Sequence, residues 1–174
     1  MPGLTVTVLL QDVKKLESEA LVVGFFENVR PLKNLAGELD WLLCGALSNL
    51  IITHKLRGSQ GDIALLTSQG KVNAQKIFMV GLGPAAALTP GAVSDAARRA
   101  MASVIRAGAQ SAAMEFFPIP AASYDVAVPA LWQGLSAGIG AAPMKVALLA
   151  KDAAAYDKIL RLVHEQRLNA DPKG

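Results

Sequence analysis

Six short runs rich in Val, Ile, Leu and Phe, more often continuous than alternating, restrict this chain to one class of architecture. They are Leu4 to Leu10, Ala20 to Phe26, Asp62 to Thr67, Lys76 to Leu82, Ser111 to Phe117 and Lys145 to Ala150. A strand that is apolar on both sides needs cover on both sides, which helices provide around a largely parallel sheet. The connection "SQGKVNAQ" between the third and fourth runs is too short for a helical crossover. Those two strands therefore pair antiparallel, and the sheet is mixed.

Helical patterns fill the longer gaps. In "NLAGELDWLLCGALSNLIITH" the residues Leu35, Leu39, Leu42, Leu43, Ala46, Leu47, Leu50 and Ile51 follow one helix face. That spacing predicts a single helix with Asn34 as its N-cap. A second helix runs from Pro90 to about Ala107, capped by Thr89 and ended by Gly108, with Val93, Ala97, Ala100, Met101 and Val104 inward. A third covers Pro129 to Ala137. A last one follows Asp152 and buries Tyr156, Ile159, Leu160 and Val163. The expected fold class is a three-layer α/β/α domain with a mixed, mostly parallel six-stranded sheet. One domain over residues 1–168 accounts for the pattern, before a polar tail at 169–174, and "RLNADPKG" is expected to fray.

At 174 residues the chain is long enough to bury a sizeable core without staples. Its one cysteine, Cys44, falls beside Leu43 in an apolar helix and is expected to be an inert buried thiol. The opening "LTVTVLL" is too short for a membrane span or a signal peptide, so a cytoplasmic location with no membrane association is expected. Net charge is only +3, with basic residues scattered among carboxylates, which speaks against a nucleic-acid partner. The hydrophobic fraction of 52% leaves room for a protein partner.

Few residues suggest chemistry. Gly81, Gly83 and Ala86 satisfy a loose G-x-G-x-x-A, but the helix begins only at Thr89 and Pro90, and no acidic residue follows at a second strand end. A strand-ending turn is the better reading, and no cofactor is expected. His54 and His164 lie among polar neighbours with no catalytic partner in view. Arg98, Arg99 and Arg106 form a solvated helix face, with Asp95 one turn from Arg99. Glu38 and Asp40 sit on a wet helix face with no second carboxylate spaced to share a proton.

Read together, "EALVVGFFENVRPLKNLAGELDWLLCGALSNLI", "KIFMVGLGPAAALTPGAVSDAARRAMASVIRAGAQSAAM" and "VPALWQGLSAGIGAAPMKVALLA" resemble the N-terminal domain of the leucyl aminopeptidase, or cytosol aminopeptidase, family. The resemblance implies a fold similar to macro domains and a domain that precedes a larger catalytic one. The family's two metal ions and its "NTDAEGRL" signature belong to that catalytic part, and no stretch here matches it. The implied role is therefore non-catalytic: binding, assembly or regulation, with a homo-oligomer or another protein as partner. A chain of this kind could also be the N-terminal part of a longer metal-dependent aminopeptidase. The macro-domain likeness raises a further alternative, a site for a nucleotide or ADP-ribose derivative at the loops Glu27 to Gly37 and Pro118 to Tyr124. Arg30, Lys33, Ser123 and Tyr124 would then supply charge, hydroxyl and stacking, although these loops offer few glycine amides for a diphosphate.

Overall fold

The computed structural model describes residues 3–10, 12–117, 119 and 123–170. Strands β1 (Leu4–Leu9), β2 (Ala20–Phe25), β3 (Ile63–Thr67), β4 (Lys76–Gly81), β5 (Ser111–Glu115) and β6 (Met144–Leu149) form one sheet in the order β1-β6-β5-β2-β4-β3. All neighbours run parallel except β3 and β4, which pair antiparallel with Ile63 opposite Val80 and Thr67 opposite Lys76. The short link between β3 and β4 dictates that exception.

The helices are α1 (Asn34–Leu42), α2 (Ala46–Ile52), α3 (Pro90–Arg106), α4 (Tyr124–Ile139) and α5 (Ala153–Ala170). Helices α3, α4 and α5 pack on one face of the sheet with Val6, Val22, Phe78 and Val80. Helices α1 and α2 pack on the other with Leu21, Val23, Ile77 and Met79. Alternate residues of β2 and β4 thus enter different cores, which is why those central strands read as unbroken apolar runs. The edge strands β1 and β3 instead alternate between covered and exposed positions.

Several local readings hold in detail. The Thr89 hydroxyl accepts from the Ala92 amide at 3.2 Å, with Pro90 in the first turn of α3. Asp152 accepts from the Ala155 amide at 2.8 Å at the start of α5. Asp95 pairs with both Arg98 and Arg99 at 2.6 Å on the wet side of α3.

The largest departure is the helix expected to run unbroken from Asn34. It breaks after Leu42, and α1 and α2 meet at an angle of 105°. Cys44 (φ 55°) and Gly45 (φ 80°) both take left-handed backbone, which no helix interior accommodates. The break is tied by Asp40, whose Oδ1 accepts from the Ser48 amide at 2.9 Å and whose Oδ2 accepts from the Ser48 hydroxyl at 2.5 Å. Cys44 is consequently exposed rather than buried. At the other end Lys33 holds the N-cap position, and Asn34 opens the helix at φ 52°.

Other differences are smaller. Helix α4 is longer than Pro129 to Ala137 and carries Pro129 within it. Leu160 is 44% exposed, and Leu162 takes its inward place beside Ile159 and Val163. Helix α5 continues through Arg167 to Ala170, so the first half of the segment expected to fray is helical. Residues 171–174 lie outside the described residues.

Candidate functional site

At the carboxyl edge of the sheet, β2 and β5 lie side by side yet send the chain in opposite directions. From β2 the chain enters α1 on one face, and from β5 it reaches α4 on the other. Diverging connections of this kind leave a crevice above the strand ends, the usual ligand position in open α/β sheets. A cavity of about 480 Å³ opens beside it, over the ends of β5 and β6, walled by Asn34, Leu35 and Glu38 of α1, Glu115 and Phe116 at the end of β5, and Tyr124 of α4. Asp12, Leu149, Ala150 and Lys151 close it on the side of β1 and β6.

Glu115 lines both this cavity and the small hollow beside it. It ends β5 pointing at the first turn of α1, where its Oε1 accepts from the Leu35 amide at 3.3 Å. Burial disfavours the charged form and raises its carboxyl from 4.5 to about 7; the amide bond opposes that shift and the nearby Glu38 carboxylate adds to it. Glu38 is therefore not an isolated wet carboxylate as its helix position suggests, because β5 brings a second one beside it. Next to Glu115, the rings of Phe116 and Tyr124 meet with centroids 5.3 Å apart and planes tilted by 60°. On the outer side of Tyr124, Lys158 Nζ lies 5.9 Å from the ring centre and 3.3 Å from Asp125 Oδ2.

The four residues expected to line a ligand do not converge. Tyr124 reaches the cavity. Lys33 borders an adjoining small hollow with Phe26, Val29 and Phe117. Arg30 folds back on its own loop, donating to the carbonyls of Phe26 at 2.8 Å and Val29 at 2.7 Å. Ser123 is exposed just ahead of α4, and its hydroxyl lies at Asp125. Of the second loop, residues 118 and 120–122 lie outside the described residues. Glu115, Asp12 and Lys151 were not singled out by the sequence as site residues, and Glu38 was read only as a wet helix-face carboxylate. The one signal available was a charged residue closing the apolar strand "SAAME" at its carboxyl end.

The "GLG" segment has its own geometry. The amides of Gly81, Leu82 and Gly83 donate to the carbonyls of Asp62 at 2.8 Å, Phe25 at 3.0 Å and Gly58 at 2.9 Å. The Ala85 amide donates to Asn28 Oδ1 at 3.0 Å. A Cβ on Gly81 would stand 2.2 Å from the Ser59 carbonyl oxygen. The glycines serve close approach of the neighbouring loop, and the amides of Gly81, Leu82, Gly83 and Ala85 already have partners.

Comparison with known proteins agrees with this architecture. The tomato leucine aminopeptidase structure superposes on 94% of this chain and 36% of its own, at 20% identity and TM-score 0.70. A Trypanosoma brucei macrodomain in complex with ADP superposes on 91% of this chain and 68% of its own, at 13% identity and TM-score 0.72. Both likenesses are in fold. In sequence, a probable cytosol aminopeptidase of Alkaliphilus oremlandii is 28% identical over 101 residues, 58% of this chain and 19% of that protein. Another from Geobacter sp. strain M21 is 36% identical over 115 residues, 64% of this chain and 23% of that protein. The chain thus spans about a fifth of the length of these relatives. The model of the cytosol aminopeptidase family N-terminal domain matches residues 22–140, and on that match the chain belongs to the cytosol aminopeptidase family through its N-terminal domain.

Proposed function

We propose that this domain works by binding and assembly rather than by catalysis, with a second copy of itself as the simplest partner and the cytoplasm as its setting. The observation that carries this reading is Trp41. It stands 74% exposed at the corner between α1 and α2, beside an open, mostly apolar groove bordered by Pro31, Leu32 and Leu42. Lys14 lies over its ring at 5.8 Å. A tryptophan left in water forgoes the largest burial energy of any side chain, and such residues concentrate at the centres of protein interfaces. Ile52 at the end of α2 is exposed to the same degree.

The non-catalytic part of the reading is supported by the donor set. Among the described residues no group of three His, Cys, Asp or Glu side chains is arranged to hold a metal ion. A catalytic zinc typically takes about three protein ligands and leaves a position open. In a longer aminopeptidase the groove beside Trp41 would instead receive another part of that protein.

The test joins light scattering to an activity assay. The expected results are a mass that rises with concentration, self-association weakened about tenfold or more by Trp41→Ala, and no turnover of a leucyl chromogenic substrate with added zinc or manganese. A monomer at every concentration would refute self-assembly, and chelator-sensitive turnover would refute the non-catalytic role.

A further inference from the structure

We propose that the cavity over the ends of β5 and β6 is a binding site for a small molecule bearing a primary ammonium group on an apolar or aromatic body, with Glu115 as the acceptor for the ammonium. This goes beyond the assembly reading and does not depend on it.

Three features of the cavity define that ligand. The first is charge. Its wall holds three carboxyl groups, Asp12, Glu38 and Glu115, against one ammonium, Lys151. Asp12 is partly engaged, since its Oδ1 accepts from the Lys14 amide at 2.9 Å. Lys158, outside Tyr124, is held by Asp125. An anionic ligand would meet unfavourable charge here and a cationic one would relieve it.

The second feature is an open valence. Among the described residues, Glu115 has a hydrogen-bond partner only on Oε1, and that partner is the single amide of Leu35. A carboxylate taken out of water is stabilised by two or three donors, and an ammonium brings three on one centre. No metal-holding group of side chains exists here among the described residues, so the missing donors are those of an organic cation.

The third is shape. Phe116 and Tyr124 stand next to Glu115 as a tilted pair of rings, and Leu35, Leu149 and Ile159 complete an apolar wall. A cavity of about 480 Å³ is within the usual range for a small organic ligand. Carboxylate and aromatic surface side by side suit an amine whose carbon body lies against the rings and whose nitrogen reaches Glu115.

The carboxyl of Glu115, raised to about 7, makes the site sensitive to pH. An alkyl amine stays protonated through this range, so affinity follows ionisation of Glu115 and rises with pH. The expected gain is about tenfold between roughly pH 6 and pH 8. Asp12, Glu38 and Lys151 are the other charged groups on the wall of the cavity.

The experiment is calorimetry and ¹H–¹⁵N shift mapping with two matched probes, phenethylamine and 3-phenylpropionate, which differ in the sign of the charged end. Phenethylamine is expected to bind with a dissociation constant of about a millimolar or tighter near pH 8 and to shift the amides of Leu35 and Phe116. The propionate is expected to bind at least about tenfold more weakly. Glu115→Gln should weaken the amine about tenfold and abolish its pH dependence, while Glu38→Gln should weaken it and move the pH profile to lower pH without abolishing it. Equal or tighter binding of the propionate would overturn the proposal. So would no phenethylamine binding to the wild-type protein, or amine binding untouched by Glu115→Gln.

Discussion

Glu115 carries most of the electrostatic consequence of this fold at a single position. Its carboxyl is raised from 4.5 in the open chain to about 7 in the folded one, chiefly by burial. The folded state therefore holds this proton over a range where the unfolded chain has released it. Stability from this group is fully present below about pH 4.5, declines as pH rises, and is lost above about 7. The size of the loss is about 3 kcal/mol, at 1.36 kcal/mol per unit. Urea titrations at pH about 5 and about 8 should show the wild-type protein losing stability across that window. Glu115→Gln should remove most of that loss and be the more stable protein at the higher pH. A wild-type stability that rises from the lower to the higher pH by a similar amount would contradict this assignment. The local sequence marks the residue only as a charge that closes the apolar strand "SAAME". Its amide partner Leu35 is 80 positions away, and only the adjacency of β5 and β2 brings them together. Tyr124, by contrast, was legible, because it follows a strand and precedes a helix at the edge where ligands gather. Arg30 was not, since a loop cation can satisfy its own backbone carbonyls as readily as a ligand, and here it does.

Among the elements, α3 and α4 are packed more closely than ordinary side chains permit. A Cβ on Gly134 would lie 2.1 Å from the Ser94 carbonyl oxygen, and one on Gly138 would lie 2.5 Å from that of Arg98. The two glycines are four residues apart on one face of α4, so the backbones meet along a shared line. Replacing a helical glycine by alanine ordinarily favours the helix by about 1 kcal/mol. Here the added methyl strikes backbone that cannot rotate away, and overpacking of this kind costs about 1–3 kcal/mol or more. Gly134→Ala should therefore destabilise the domain by about 2 kcal/mol net, with the denaturation midpoint lowered and the slope unchanged. A midpoint at or above the wild-type value would show that the helices can separate freely. The periodicity of apolar residues located α3 and α5, because in those helices one face meets one core. The same pattern concealed the break between α1 and α2. Leu39, Leu43 and Leu47 keep helical spacing through the break and all face the same core, although Gly45 between them takes a left-handed turn. Periodicity reports which residues are buried. The direction of the axis depends on Gly45 and on the Asp40 to Ser48 tie, and neither contributes to the apolar pattern.

For the whole molecule, the contrast with macrodomains turns on where the amides point. The fold is similar to that of macrodomains, including one from Trypanosoma brucei solved in complex with ADP-ribose, at 13% identity and TM-score 0.70. A diphosphate needs several backbone donors converging on one place, and two described stretches near this edge of the sheet have amides engaged within the protein. One is the turn after β4, where the amides of Gly81, Leu82, Gly83 and Ala85 are all bonded within the protein. The other is the first turn of α1, where the Leu35 amide faces the carboxylate of Glu115. An internal carboxylate thus engages the Leu35 amide, with Glu38 nearby. ADP-ribose would have to displace a carboxylate from its amide while bringing two further negative charges beside two of the same sign. The expected outcome in calorimetry at moderate salt and pH about 7.5 is no binding tighter than about a millimolar dissociation constant, roughly 4 kcal/mol. A micromolar dissociation constant, weakened by Lys33→Ala or Ser123→Ala, would place a nucleotide on the loops that flank the crevice and would mean that Glu115 yields its amide to phosphate. Titrating ADP-ribose against Glu115→Gln isolates the reason. If the carboxylate is what excludes the diphosphate, its neutral replacement should bind measurably where the wild-type protein does not. If both fail alike, the shortage of free amides is the greater obstacle.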